Sequence, residues 1–295
     1  MKAIFYLIIA TIFLGLNFHL AKVILKEVNF IEAGFWRFLF GVVALLILGV
    51  KNLPSLKTIH KNLKGISLTG FIGLFGFNLF FFLGLLNTSA INAALIVSLN
   101  PALTILFSHK ILKTQITKIQ IIGVVIAFFG VTYLILKGNI TNFSNIQFSY
   151  GDILILIANV FFALHHVWVK KYAGAISSLN FTLLTSLCCL IGFFILLPIS
   201  GIEMVTTHTS NFWMAVFGIG CLGTALAYFL WQKGIQITGA DKAGIYMNIV
   251  PLSAALFAIL FNEALHTYHL IGGLCIVIGL LISKSNTSKF SKALS

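Results

Sequence analysis

Charged residues are scarce in this chain, and acidic residues are the scarcest. Charged side chains make up 8 % of the 295 residues, against 59 % apolar ones, and only six residues are aspartate or glutamate. Soluble domains average about 25 % charged residues, so this composition excludes that class and indicates a protein dissolved in the lipid bilayer. The shortage of carboxylates also disfavours a carboxylate proton relay and a pump for cationic drugs.

Cysteine and proline are also rare, with four of each. All four cysteines lie inside apolar runs without the spacing of a zinc site, so we interpret them as small buried apolar side chains. These are Cys188, Cys189, Cys221 and Cys275. The sequence contains neither a Walker-type phosphate loop nor a Gly-x-Ser-x-Gly motif. We therefore expect no metal, no cofactor and no direct use of ATP, and we predict that the protein is not an enzyme.

Ten apolar runs have about the length that a helix needs to cross a bilayer, which is about 20 residues. They lie at residues 3–21, 31–50, 65–86, 91–109, 119–136, 152–169, 179–199, 211–232, 243–262 and 268–283. The first run follows Lys2 and so resembles a secretory signal, but no cleavage site follows it and nine more runs do. We predict an all-α integral membrane protein with ten transmembrane helices.

The basic residues alternate between the loops in a way that predicts the orientation. If the N-terminus is cytoplasmic, fifteen of the nineteen basic residues lie on the inner side, and only Lys22, Lys26, Lys137 and Arg37 do not. This is the positive-inside pattern, and it places both termini in the cytoplasm of a multi-pass protein in the plasma (inner) membrane. We therefore attribute the net charge of +13 to the orientation of the chain in the membrane. The expected partners are the lipid bilayer and a small-molecule substrate; nucleic acid is not expected, and a homodimer stays open.

The chain resembles itself at a shift of 150 residues. The pairs that carry most weight are Gly70 with Gly220, Gly73 with Gly223, and Pro101 with Pro251. The repeats are predicted at 1–137 and 150–284, five helices each, with a cytoplasmic tail at 285–295. Because five is odd, the second repeat enters the membrane from the opposite side. Inverted repeats of this kind are typical of secondary transporters. The glycines spaced by three are interpreted as a close-packing face.

Four stretches carry a resemblance to a known family. They read LGLNFHLAKVIL, FWRFLFGVVALLIL, YGDILILIANVFFALHHVWVKK and FNEALHTYHLIGGLCIVIGLLI. In this order and on a five-plus-five layout, the chain resembles an EamA-type member of the drug/metabolite transporter superfamily over essentially its whole length. The chain departs from the family pattern at Leu14, at Asn262 where glycine is usual, and at the pair His165 and His166. The resemblance implies metabolite or amino-acid export through a cavity lined by helices one, three, four, six, eight and nine.

Polar side chains inside apolar runs are candidates for the binding site, because lipid offers them no partners. Helical spacing puts Asn78 and Phe81 on one face, with an equivalent aromatic and amide face in the second repeat. Asn17 is favoured over His19, which is expected to pack among helices. The predicted substrate-binding residues are Asn17, Asn78, Phe81, Asn100, His165, Trp168, Tyr228, Trp231, Gln232, Tyr246 and Asn248. His165 could bind an anionic group or couple transport to protons.

Three charged residues are assigned structural positions. Asp152 is predicted at a helix start, where a carboxylate meets free backbone amides. Glu263 is expected near the outer boundary of the membrane. Arg37 is expected to reach an interface or to pair with Glu32, and its partner is left open.

Two prolines interrupt apolar runs at matching places. Pro101 and Pro251 each remove a backbone donor, so the helices should bend there, and we predict a pair of hinges beside the substrate site.

The function predicted from these patterns is secondary transport of a small polar or zwitterionic metabolite, such as an amino acid, by alternating access; an exporter or exchanger is favoured. The alternatives are a membrane-embedded enzyme and a channel or scaffold protein.

Overall fold

A computed structural model of the chain describes residues 2–49, 53–139, 149–199, 207–238, 243, 246–247 and 249–284. Every regular element in these ranges is helical. The helices are α1 Lys2–Ile24, α2 Phe30–Gly49, α3 Leu56–Lys61, α4 Leu63–Leu85, α5 Ala90–Val97, α6 Asn100–Leu112, α7 Lys118–Ile135, α8 Tyr150–Tyr172, α9 Ser178–Ile199, α10 Ser210–Ile237, α11 Ile249–Leu260 and α12 Thr267–Lys284.

The helix lengths fit a membrane protein. Seven helical stretches are long and apolar enough to cross a bilayer, with α5 and α6 counted as one, and α7, α11 and α12 contain shorter apolar helices. Each of the ten predicted segments overlaps one of these stretches, although 243–262 is only partly described. Large apolar side chains such as Ile47 and Leu260 are exposed on the surface of the bundle, as lipid-facing side chains are.

The fourth predicted segment is interrupted in the structure. α5 ends at Val97, Ser98 and Leu99 form a turn, and α6 begins at Asn100 with Pro101 in its first turn. This matches the predicted effect of a proline that cannot donate to the preceding turn. At the matching position 150 residues later, Pro251 lies in the first turn of α11.

Two segments have the wider turns of a π-helix. They are Leu68–Phe75 in α4 and Gly218–Leu226 in α10, and their first residues are 150 positions apart. Their glycines allow close packing: a Cβ added at Gly73 would lie 2.8 Å from the Cβ of His165. The predicted close-packing role of this glycine is confirmed.

Helices α7 and α12 pack against each other in antiparallel directions. An added Cβ at Gly130 would lie 2.7 Å from the carbonyl oxygen of Gly272, and one at Gly279 would lie 2.5 Å from that of Gly123. From the first contact to the second, the residue numbers fall along α7 and rise along α12, so the two helices run antiparallel. These are the last helices of the two predicted repeats.

Candidate transport site

A narrow cavity lies at the centre of the bundle. Its volume is about 20 Å³, room for about one water-sized molecule. The side chains around it come from α1, α2, α4, α5, α8, α10 and α11, together with Met247. They are Leu14, Asn17, Phe18, Arg37, Phe77, Phe81, Val97, Phe162, Tyr228, Met247 and Val250.

Arg37 supplies the charge of this central cavity. Its side chain is only 1 % exposed. Nε donates to Thr224 Oγ1 at 2.9 Å, and Nη2 donates to the Tyr228 hydroxyl at 3.2 Å. The guanidinium carbon also lies 5.8 and 5.9 Å from the ring centroids of Phe81 and Phe82. The cation is thus held by hydroxyl groups and aromatic rings, all of them neutral.

The expected pairing of Arg37 with Glu32 is wrong, and so is its expected reach to an interface. Glu32 instead accepts a hydrogen bond from Trp36 Nε1 at 3.2 Å and lies 3.8 Å from His208 Nε2. Among the residues that the structure describes, no carboxylate lies within 4 Å of Arg37. A buried arginine without a counter-ion is costly in a membrane, and this favours a role in function.

The close approach of α2 to α10 explains the position of Arg37. Gly41, one turn further along α2, faces Thr224, and a Cβ there would lie 2.8 Å from Thr224 Cγ2. At this short distance the arginine side chain runs between the helices and meets Thr224 and Tyr228, which share one face of α10 at a spacing of four.

Asn17 is the predicted site residue on α1, and it does line the central cavity. Its Nδ2 donates to the carbonyl oxygen of Gly223 at 3.2 Å. Its Oδ1 is buried and has no hydrogen-bond partner among the described residues. Gly223 leaves the room for this side chain, because an added Cβ would overlap Asn17 Oδ1. This acceptor is therefore packed against the backbone of Gly223, and the Asn17 side chain has to turn before a ligand can reach it.

The predicted aromatic and amide wall is present on α4 and α10. Phe81 and Tyr228 line the central cavity. Asn78 lies beside Tyr228 and donates to the carbonyl oxygen of Leu74 at 2.8 Å. Gln232 is buried, and its Oε1 has no partner among the described residues.

Three more polar residues form a network at the inner side of the cavity. Asn100 Nδ2 donates to Asn159 Oδ1 at 2.9 Å, and Asn100 Oδ1 lies 2.8 Å from His166 Nδ1. Trp231 lies next to this network, with its ring centroid 5.8 Å from that of His166. We call Asn100, Asn159 and His166 the inner network. Asn159 was not singled out from the sequence, and His166 was set aside in favour of its neighbour.

The remaining predicted site residues lie elsewhere. The Nδ1 of His165 is 3.2 Å from the Thr69 carbonyl oxygen, and the residue packs against α4 rather than lining the central cavity. Trp168 is half-buried, and Tyr246 is half-buried against the main core. Asn248 lies outside the described residues.

Residues 25–29, 86–89 and 261–266 form one end of the bundle, which we call the outer end after the predicted orientation. Residues 86–89 and Glu263 border an open pocket of about 600 Å³ there. Glu263 Oε1 accepts from the backbone N–H of Ile91 at 3.3 Å, and Oε2 lies 3.4 Å from His19 Nδ1. His19 is buried among helices, as expected, with Nε2 2.7 Å from the Ala254 carbonyl oxygen. The preceding Asn262 has a φ of 56°, the left-handed conformation that glycine adopts most readily. This explains why the family usually has glycine there.

Two further carboxylates hold the outer end together. Asp152 lies in the first turn of α8, as predicted, and accepts a hydrogen bond from the Thr88 hydroxyl. Glu27 accepts from the Thr209 hydroxyl at 2.5 Å and from its backbone N–H at 3.0 Å. The Thr209 hydroxyl and amide lower the pKa of Glu27 below its usual value of 4.5.

Comparisons with known proteins agree with this geometry. The chain matches the EamA-like transporter family at residues 1–136 and 149–284. It is 32 % identical over 95 % of both chains to the uncharacterized transporter YyaM of Bacillus subtilis (strain 168), and 24 % identical over 90 % of its length to an uncharacterized transporter of Archaeoglobus fulgidus, 92 % of which is covered. A solved structure titled "Crystal structure of protein" has a TM-score of 0.67 at 18 % identity over 98 % of both chains, which shows a shared fold. The chain is a member of the EamA-like transporter family.

Proposed function

We propose that the protein is a secondary transporter for a small solute that carries a carboxylate, an amino acid being the best fit. The solute passes through the central cavity by alternating access, in a plasma (inner) membrane with both termini cytoplasmic. Export or exchange is the favoured direction. The observation that carries this proposal is Arg37, a buried cation at the cavity whose described partners are all neutral.

The environment of Arg37 favours an anionic ligand. Charge-assisted hydrogen bonds from a guanidinium to a carboxylate are about twice as strong as neutral ones, and the fork of Arg matches the two carboxylate oxygens. Thr224 and Tyr228 occupy Nε and Nη2, which orients the guanidinium and leaves the N–H groups of Nη1 for a ligand. A solute carboxylate would supply the counter-charge that the described residues do not.

The rest of the cavity favours a zwitterion with an apolar part. Asn17 lines the same cavity as Arg37, and its Oδ1, which lies against Gly223, is a buried acceptor without a partner among the described residues. Once the cavity widens and the Asn17 side chain turns into it, an α-ammonium group can donate to this oxygen while the neighbouring carboxylate contacts the arginine. Phe77, Phe81 and Phe162 offer ring faces and edges to an aliphatic or aromatic side chain. The cavity must widen to admit such a solute, since it now has room for about one water-sized molecule.

Matching contacts in the two halves support alternating access with ten helices in two inverted repeats. Gly73 packs on His165, and Gly223, 150 residues later, packs on Asn17. In the same way, a Cβ added at Gly70 would contact Cys188, and a Cβ added at Gly220 would contact Phe40. An inverted repeat also requires equivalent helices to run in opposite directions where they meet, as α7 and α12 do. Transporters of this kind expose a central site to each side in turn.

Counterflow exchange tests the proposal. The purified chain is placed in proteoliposomes loaded with unlabelled amino acids, and the entry of labelled amino acids is compared with that of the matching amines, which lack the carboxylate. We expect saturable counterflow of an amino acid but not of its amine. Arg37→Gln should lower the rate by about tenfold or more, because a charge-assisted hydrogen bond contributes about 1.5–3 kcal/mol.

The control is Lys110→Gln, which removes one positive charge from an exposed position and should leave the rate unchanged. Equal counterflow in wild type and Arg37→Gln would show that the arginine does not bind the solute. Flux that does not saturate would favour the channel alternative, and chemical conversion of the solute would favour the enzyme.

A further inference from the structure

A chain of hydrogen bonds runs from a backbone carbonyl of α5 to His166 on α8. Asn159 Nδ2 donates to the Ile96 carbonyl oxygen at 2.9 Å, and Asn100 Nδ2 donates to Asn159 Oδ1. His166 Nδ1 then lies 2.8 Å from Asn100 Oδ1. A carbonyl oxygen can only accept, so the first bond fixes the orientation of the Asn159 amide, and each bond fixes the next. The chain therefore ends with the proton on Nδ1 of His166.

With its proton on Nδ1, a neutral His166 has a bare acceptor at Nε2. The side chain is buried, and a second proton there, with no anion nearby, would be costly. Nε2 has no hydrogen-bond partner in the part of the chain that the structure describes. His166 Nε2 is thus a buried acceptor for a donor group of a ligand that enters beside the inner network.

Trp231 presents a donor at the same place. Its Nε1 is buried and has no partner among the described side chains and backbone, and its ring centroid lies 5.8 Å from that of His166. The His166 ring also lies 4.3 Å from that of Phe162, which lines the central cavity. An acceptor and a donor without described partners therefore belong to two neighbouring rings, beside the cavity residue Phe162. A hydroxyl group matches this pair, because it donates one hydrogen bond and accepts another.

We propose that His166 and Trp231 form a second recognition subsite, which binds a hydroxyl group at the far end of the apolar part of the solute. The inference rests on the proposed function, in which Arg37 takes the carboxylate. Phe77 and Phe162 both line the cavity and stack on each other with ring centroids 4.3 Å apart, so their free faces and edges offer contacts to an aromatic body. An amino acid with the groups in this order has a hydroxylated aromatic side chain, as tyrosine does.

Binding of a hydroxyl group requires a neutral His166. A proton on His166 Nε2 turns the acceptor into a donor, so the hydroxyl hydrogen bond to the imidazole is lost. Around this ring, α6 contributes Asn100 and α10 contributes Trp231, neither of which titrates. His165 on the same helix is the titratable neighbour, with its ring centroid 5.8 Å away.

The experiment compares counterflow of labelled L-tyrosine and L-phenylalanine in proteoliposomes of the full chain. We expect wild type to prefer tyrosine about tenfold, since phenylalanine would leave two buried polar groups unpaired. Trp231→Phe keeps an aromatic ring but removes the N–H, and His166→Phe keeps an aromatic ring beside Phe162 but removes the imidazole acceptor. Both variants should bring the ratio close to one, whereas the control Trp213→Phe, which removes a tryptophan N–H at the outer end, should keep it.

A second measurement uses wild type alone and so does not depend on a variant that folds. Tyrosine exchange should be about tenfold faster than phenylalanine exchange at neutral and at mildly acidic pH, because burial disfavours a second proton on His166. Equal rates of the two amino acids at every pH, with the dependence on Arg37 intact, would overturn the subsite and leave the proposed function standing. An unchanged ratio in both Trp231→Phe and His166→Phe would overturn it as well. Absence of saturable counterflow for both amino acids would instead overturn the proposed function.

Discussion

Gly223→Ala should lower both the stability and the transport rate of the protein, because of the contact between Gly223 and Asn17. The new Cβ would overlap Asn17 Oδ1, so the Asn17 side chain must rotate away and lose its hydrogen bond to the Gly223 carbonyl oxygen. Overpacking costs about 1–3 kcal/mol, and a lost buried hydrogen bond costs about 1 kcal/mol. We therefore expect a loss of about 2–4 kcal/mol in the free energy of unfolding, together with loss of counterflow because Asn17 no longer faces the cavity.

The matched control is Gly174→Ala, where nothing lies within 4 Å of the added Cβ. This variant should stay within about 0.5 kcal/mol of wild type. The assay is thermal or denaturant unfolding of purified protein in detergent, with counterflow measured on the same preparations.

A double variant separates the overlap from other effects of the substitution. Asn17→Ala combined with Gly223→Ala removes the overlapping group, so the pair should be more stable than Gly223→Ala alone, although transport should stay low. The coupling energy between the two positions should reach about 1 kcal/mol or more. Additive effects, or equal stability of Gly223→Ala and Gly174→Ala, would refute the reasoning.

Two more predictions concern the outer end and the helix breaks. Glu27 has a lowered pKa in the folded protein, so its stabilising contribution is present above pH 4.5 and is lost as the pH falls through the folded value. Melting temperatures of Glu27→Gln and wild type should therefore differ at pH 7 and converge in acid; a difference that grows in acid would contradict this. Pro101→Ala and Pro251→Ala should slow counterflow more than they weaken solute binding, which a thermal-shift assay measures. The reason is that a helix that bends less moves more slowly between states. Equal losses in counterflow and in binding would argue against hinges.

The helices could be predicted from the sequence because hydropathy and length are properties of each segment alone. The same holds for the break before Pro101 and for the glycine faces, which depend on local backbone chemistry. Asn17, Phe81 and Tyr228 were recognised as cavity residues, since a polar or aromatic side chain at helical spacing indicates which face is not exposed to lipid.

The residues that were missed depend on how helices meet. Arg37 was expected to reach an interface, as long side chains often do, but the close approach at Gly41 keeps it between α2 and α10. The sequence favoured His165, whereas the structure packs His165 against α4 and places His166 beside Asn100, because the direction of a helix face relative to its neighbours cannot be read from one segment. Asn159 contacts Asn100 from a different helix, and that pairing exists only after both helices pack.

The two-residue interruption at Ser98 and Leu99 has a mechanical consequence. α5 is tied to the outer end, where the amide of Ile91 meets Glu263, and α6 carries Asn100 of the inner network. A continuous helix would be rigid, so its two ends would move together. In the transport cycle that we propose, the break would act as a joint: α5 would tilt at the outer end while α6 keeps its contacts, so that each end of the pathway opens without moving the other.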